Sequence, residues 1–274
     1  MDTFRTSLAP ISATAWTELE RQARASLTAP LSARRIVDGR GPRGWDASAI
    51  NLGRLRLHDG EQDGVSFGIR QVLPLIELRV PFRLGLWELD NAARGALDLD
   101  LRPLTAAARA IAHAEDEIVF RGLAAAGVRG VLDSTARTPV EFGADPQRFP
   151  AAVASALVRL KNDGVGGPYA LVVGAELFTA LSGTSGDQYP LMPRLARLID
   201  GPVLLAPVLR DGAVLVTRRG GDFELTLGQD VTLGYEFHDS KDVKLFFTES
   251  VTFRVLDEDA AVLFRPEASA TAVT

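Results

Sequence analysis

The chain contains no cysteine. That absence removes disulfides, thiolate metal sites and cysteine nucleophiles together, and it fits a cytoplasmic protein. Histidine is scarce as well. His58, His113 and His238 are the only three, and none stands at the spacing from a second histidine or a carboxylate that a metal site such as H-E-x-x-H requires. Each reads as a surface or hydrogen-bonded histidine, and no metal site is expected. No apolar run approaches the ~20 residues of a membrane span. The N-terminal stretch Met1–Pro10 lacks a basic segment followed by an apolar one, so no signal peptide is expected. A basic excess is missing too, with 30 Lys and Arg against 35 Asp and Glu and a net charge of -5. A nucleic-acid coat would show the opposite balance. Neither nucleic acid nor a membrane is therefore expected as a partner.

What remains is ordinary globular material. The chain has 274 residues, 46% hydrophobic and 24% charged, enough for one large domain or two intimate ones. Its motifs do not assemble into an active site. Ser182-Gly183-Thr184-Ser185-Gly186-Asp187 is not G-x-S-x-G, since one residue separates Gly183 from Ser185. Arg219-Gly220-Gly221-Asp222-Phe223 is one acidic residue short of a diguanylate-cyclase signature and reads as a tight turn whose glycines supply positive φ. Gly164-Val165-Gly166-Gly167 precedes a strand rather than opening a helix, so it is a loop. Glu115, Asp116 and Glu117 point about 100° apart on a helix and cannot converge on one metal. Glu115 is expected as a buried structural partner of an arginine, with Arg79 the candidate. No catalytic residue is expected, and the protein is read as a non-enzyme.

Periodicity predicts mixed α+β architecture with mostly antiparallel strands. Trp16, Leu19, Ala23 and Leu27 mark an amphipathic helix over 11–31. Residues 49–84 read as a long β-hairpin with a polar tip at 59–64 and with Pro74 and Pro81 on edge or bent strands. The clearest helix spans 103–126, with Pro103 in its first turn and Gly127 as its C-cap. Further helices are predicted over 150–162, 176–182 and 191–199. Strands are predicted over 169–173, 203–205, 213–218, 223–227, 231–237, 243–256 and 261–264, and 267–274 reads as a frayed tail.

Six blocks in fixed order carry a resemblance. They are Gly41-Pro42-Arg43-Gly44-Trp45, the run Pro74–Phe82, Glu115–Phe120, Gly167-Pro168-Tyr169, Arg219–Phe223 and Leu227-Gly228-Gln229-Asp230. From about Phe4 to about Pro266 the chain resembles the encapsulin shell proteins, also described as linocin- or bacteriocin-type encapsulating proteins, which are relatives of the tailed-phage major capsid protein. The resemblance implies an HK97-like fold. Residues 1–48 would form the N-terminal helix and arm of a P-domain, 49–84 the E-loop hairpin, and 85–137 the P-domain with its spine helix. Residues 138–218 would form the A-domain, 219–266 the closing P-domain strands, and 267–274 a disordered tail.

It also implies a cytoplasmic shell of roughly sixty self-assembling subunits around a cargo enzyme, such as a dye-decolourising peroxidase or a ferritin-like protein. Oxidative-stress defence or iron storage would then be the setting. Cargo would dock by a C-terminal peptide on Leu27, Leu31, Arg34, Ile36, Asp38 and Asp230, although Arg34 and Asp38 are also spaced to pair with each other. Ser185, Gly186, Asp187, Gln188 and Tyr189 would line the five-fold pore. Assembly requires no cofactor. Family members that carry a flavin stack it on the tryptophan of the L-W-E-L-D block, here Trp87; core packing is the alternative for that ring. A prophage-type major capsid protein around DNA is the alternative function, disfavoured by the N-terminal helix and the acidic balance.

Overall fold

The computed structural model describes residues 3–28, 30–58, 65–183 and 190–267. The first half of the chain runs α1 (Ala13–Thr28), β1 (Asp38–Arg40), β2 (Ala49–Leu57), β3 (Gly68–Pro74), β4 (Ile76–Gly85), α2 (Leu86–Ala93), α3 (Arg102–Arg121), β5 (Gly122–Leu123), β6 (Val128–Arg129) and α4 (Val131–Ser134). Then come β7 (Val140–Phe142), α5 (Phe149–Asn162), β8 (Tyr169–Val173), α6 (Ala175–Ser182), α7 (Leu191–Ile199), β9 (Val203–Leu205) and β10 (Ala213–Thr217). The chain closes with β11 (Phe223–Leu227), β12 (Thr232–His238), β13 (Asp242–Val255) and β14 (Ala261–Pro266).

The predicted helix over 11–31 is α1, shorter at both ends. Ser12 accepts from the Ala15 N–H at 3.2 Å and so caps its start. Ala15, Leu19 and Ala23, one turn apart, form the buried stripe.

The predicted hairpin needs correction. β2 and β3 pair only with each other, as a ribbon over 49–74. β4 does not continue its second arm. Pro74 has no N–H to extend the ladder, and Leu75 N–H donates to Ser48 O at 2.9 Å, closing the ribbon's base. From Ile76 the strand takes β13 as its partner through ten paired positions. Pro81 sits on β4, which pairs with β13 alone among the described residues, so its missing donor falls on an edge. The predicted tip, 59–64, lies outside the described residues.

The long helix starts as predicted but stops at Arg121, five residues before the expected end. Gly122 leaves the helix at φ 78°. A Cβ there would run into the Val128 carbonyl, because β5 and β6 fold back on each other at this point. Gly127 instead caps a single 3-10 turn at Ala124–Ala126.

Two sheets organise the rest. In the first, β11 and β12 lie in succession along one side of β13 and β4 lies along the other, with β1 parallel to β11. The Arg219–Phe223 turn leads into β11, and Gly220 and Gly221 take φ of 87° and 85° there. The second sheet has the order β7-β14-β10-β8-β9. β14 therefore pairs with β10 and β7, in a different sheet from β11, β12 and β13. Its Ala261, Val262, Leu263 and Phe264 are all buried, which an inner strand covered on both faces requires.

Alternate residues of the second sheet serve two cores. Leu171, Val173, Leu215 and Phe264 pack under α5, α6 and α7. Ala170, Val172, Val214 and Leu263 face a shared core with Phe223, Leu225 and Phe253 of the first sheet and Val119 and Phe120 of α3. A third core packs α1, α2 and the start of α3 onto β4, β12 and β13.

Candidate functional site

α1 does not cover the first sheet completely. Between it and β12 and β13 runs a groove of about 510 Å³. Trp16, Ala23 and Leu27 form one wall, while Val231, Leu233 and Phe247 form the other wall and floor. Glu20 and Arg24 stand at its rim. The helical spacing of Trp16, Ala23 and Leu27 aims one face of α1 into the groove. The N-terminal segment borders it through Thr6 and Ser7. Tyr235 N–H on β12 donates to Phe4 O at 2.9 Å, which fixes the N-terminal segment across the strand.

Of the six residues expected to bind a peptide, only Leu27 lines this groove. Leu31 is half-buried just past the end of α1. Ile36 is buried in the shared core. Asp38 opens β1 and accepts the Gly221 N–H at 2.5 Å. Arg34, Ile36 and Asp38 line a separate pocket of about 310 Å³ against the 218–222 turn, together with Arg35 and Arg218. Arg34 and Asp38 do not pair with each other, contrary to what their spacing suggests. Each is drawn to a partner distant in sequence.

Arg34 is the centre of a buried ion cluster. Its Nε donates to both Glu115 carboxylate oxygens at 2.9 Å, and its Nη1 to Asp230 at 2.9 Å. Its Nη2 donates to Glu115 Oε2 at 2.5 Å and to Glu249 Oε1 at 2.6 Å. Glu115 and Glu249 are fully buried, while the Asp230 side chain is 47% exposed. The expected buried ion pair of Glu115 therefore exists, but its arginine is Arg34 and not Arg79. Arg79 lies instead over the Phe246 ring, 3.9 Å from its centroid. Burial opposes the charge on Arg34, and the hydrogen bonds and charge of Glu115, backed by Glu249 and Asp230, overcome that and hold it protonated. Burial, then the neighbouring Glu115 charge, pushes the Glu249 carboxyl well above the ordinary range, against the pull of Arg34. Asp116, next on α3, takes the Ala33 N–H at 2.9 Å and the Ser32 hydroxyl. Burial pushes it up to about 6, against the lowering effect of those two bonds. Glu249 gave no signal in the sequence. It shares a largely apolar strand with Asp242, and only the fold brings it to Arg34 and Glu115, 215 and 134 positions away.

Trp87, in the first turn of α2, is 79% exposed, so core packing is ruled out for this ring within the subunit. It lines neither cavity above. Ser185, Gly186, Asp187, Gln188 and Tyr189 lie outside the described residues. His58 stacks on Phe67, His113 faces Glu117 at 3.6 Å, and His238 Nδ1 bonds the Tyr235 hydroxyl at 2.7 Å. Among the described residues no group of three His, Asp or Glu could hold a metal, and no helix is long and apolar enough to cross a membrane.

The ribbon presents an unusual surface. Leu55, Leu57, Phe67, Ile69 and Val72 are 46–70% exposed on it. Arg54, Arg56 and Arg70 stand between them without an ion-pair partner among the described residues. A two-stranded ribbon with apolar side chains in water is not stable by itself. It is built to be covered.

Known proteins agree with this reading. A family model described as encapsulating protein for peroxidase matches residues 1–252. A type 1 encapsulin shell protein of Rhodospirillum rubrum is 46% identical over 272 residues, covering 97% of both chains. Those of Rhodococcus erythropolis and Mycobacterium tuberculosis are 42% and 37% identical over 262 residues, covering 96% of this chain and 99% and 98% of theirs. In fold, a virus-like particle from Pyrococcus furiosus superposes with a TM-score of 0.61 at 18% identity, over 89% of this chain and 98% of that one. The capsid of an empty GTA particle superposes at 0.55 and 18%, over 88% and 91%. The chain belongs to the encapsulin shell proteins, with an HK97-like capsid fold and a structural rather than an enzymatic role in a multi-subunit shell.

Proposed function

We propose that roughly sixty copies of this chain close into one icosahedral shell in the cytoplasm and that the shell holds a cargo enzyme by a short C-terminal peptide. The groove between α1 and β12 carries the second half of this reading. It is lined by Trp16, Leu27, Val231, Leu233 and Phe247, which suits an extended peptide that anchors Leu or Ile side chains between Leu27, Val231 and Phe247. Glu20 and Arg24 at the rim would orient it. The description of the matching family names peroxidase, so a dye-decolourising peroxidase is the first cargo to test and a ferritin-like protein the second. Within the fold, the first sheet with α3 would be the P-domain, the ribbon the E-loop, and the second sheet with α5, α6 and α7 the A-domain. Residues 185–189 would face the five-fold pore.

Co-expression with a fluorescent protein carrying a Leu-rich C-terminal peptide tests the groove. Burying one Leu is worth about 1.5–3 kcal/mol, so Leu27→Asp with Val231→Asp is expected to cut co-purified fluorescence roughly ten-fold or more at unchanged shell mass. Unchanged loading in that double variant would place the dock elsewhere. Trp87 would hold a flavin by stacking, and the flavin would supply redox chemistry beside the cargo. Visible absorbance of purified shells, lost in Trp87→Ala, is the expected sign. Absorbance that survives this substitution would remove Trp87 from the site.

A further inference from the structure

Glu115 and Glu249 reach the same Arg34 nitrogen from two elements, α3 and β13, and both are sealed from water. With Asp230 the cluster sets three carboxyl groups against one guanidinium. Asp230 is partly solvated. The two glutamates are not, and two unscreened negative charges against a single arginine would repel strongly there. A second observation concerns one atom. Glu249 Oε1 accepts from Arg34, but Glu249 Oε2 is buried without a hydrogen-bond partner. A carboxylate oxygen left so is expensive, whereas a protonated one can donate to the neighbouring carboxylate.

We propose that Glu249 retains a proton at neutral pH and shares it with Glu115, and that this proton is the catch that fastens the 31–38 arm to α3 and β13 until alkaline conditions remove it.

The surroundings leave no other compensation for the charge. The arm contributes Arg34, α3 contributes Glu115 and Asp116, and the turn before β12 contributes Asp230. On β4 the residue paired with Glu249 is Leu78, while Arg79, its neighbour, is paired with Thr248 and lies over Phe246. No second cation bonds either glutamate among the described residues. Loss of the proton therefore adds a full negative charge to a cluster whose one arginine is already shared. The burial and charge that raise Glu249 act in the same direction. Release would be felt beyond the arm. Val231 N–H is bonded to the Asp230 carboxylate at 2.8 Å, and Val231 lines the groove. The catch thus reaches to within one residue of the groove's lining, though the inference does not depend on what the groove binds.

Hydrogen exchange of the purified, assembled protein tests it, read on the peptide spanning 31–38 and corrected for the intrinsic pH dependence of exchange. Protection in the unmodified protein is expected to fall roughly ten-fold for each pH unit once the proton is lost. Glu249→Gln, uncharged and always a donor, is expected to keep protection through the same range. Asp116→Asn is expected to leave the alkaline transition in place. Infrared spectra at neutral pH should also contain a protonated-carboxyl stretch that Glu249→Gln lacks. Protection that is independent of pH, or an alkaline transition unmoved by Glu249→Gln, would overturn the proposal. If that variant does not assemble, the unmodified protein decides alone: a protonated-carboxyl band that bleaches above neutral pH supports the catch, and its absence refutes it.

Discussion

Arg34 ties three otherwise separate pieces of chain together: α3 through Glu115, β13 through Glu249 and the turn before β12 through Asp230. Replacing it with methionine would keep much of its bulk and leave buried acids without their cation. Breaking a buried pair from one side costs about 3–5 kcal/mol, so Arg34→Met is expected to lower the thermal midpoint of the purified protein sharply, and Arg35→Met, exposed beside it, to leave it nearly unchanged. Asp116 makes a separate prediction. Its folded pKa is raised to about 6 from 3.8, so the folded state binds the extra proton, and stability falls as pH rises from the ordinary carboxylate range through about 6. At about 1.36 kcal/mol per pKa unit the loss is roughly 3 kcal/mol. Asp116→Asn is expected to flatten that slope in thermal midpoints taken across acidic pH, and an unaltered slope would assign it to another group. Such partnerships were only half legible in the sequence. The helix face of Glu115 announced a buried acid, but its arginine lies 81 positions away in a single 3-10 turn, Ala33–Arg35, too short for periodicity to say anything about contacts.

At the level of elements, Gly122 decides where α3 ends and β5 begins. With φ at 78° and the Val128 carbonyl against its missing side chain, Gly122→Ala is expected to cost about 1–3 kcal/mol, read as a lower thermal midpoint, while Gly164→Ala, with open space around it, should cost less. The sequence placed the helix end at Gly127 because Ala124, Ala125 and Ala126 continue to favour helix; the sharp return of β6 overrides that preference. β8, α7 and β11 came out at their predicted bounds, since each is a short apolar or amphipathic segment between strong breakers. The ribbon did not. Residues 68–85 read as one apolar-rich extended run in which Pro74 signals a bend but not a change of partner, and periodicity is indifferent to which strand lies alongside. Only the pairing shows that β3 belongs to β2 and β4 to β13.

For the molecule as a whole, the notable fact is how much apolar surface one subunit leaves in water along the ribbon. Closed symmetric assembly accounts for it, because each copy can cover its neighbour's ribbon and be covered in turn. Leu57→Asp with Ile69→Asp should leave the two sheets intact, since neither side chain packs in a core, and yet stop assembly. Size-exclusion chromatography is expected to show small species with unchanged far-ultraviolet circular dichroism, and normal particles from this variant would mean that the ribbon is not an assembly surface. The family was the most legible feature of all, because short blocks spread along the whole chain survive where local periodicity is ambiguous. The most direct measurement is the mass and shape of the chain expressed alone, by light scattering and negative-stain microscopy. Uniform hollow particles of about sixty subunits are the predicted result; a monomer or dimer that does not assemble at any concentration would contradict the account.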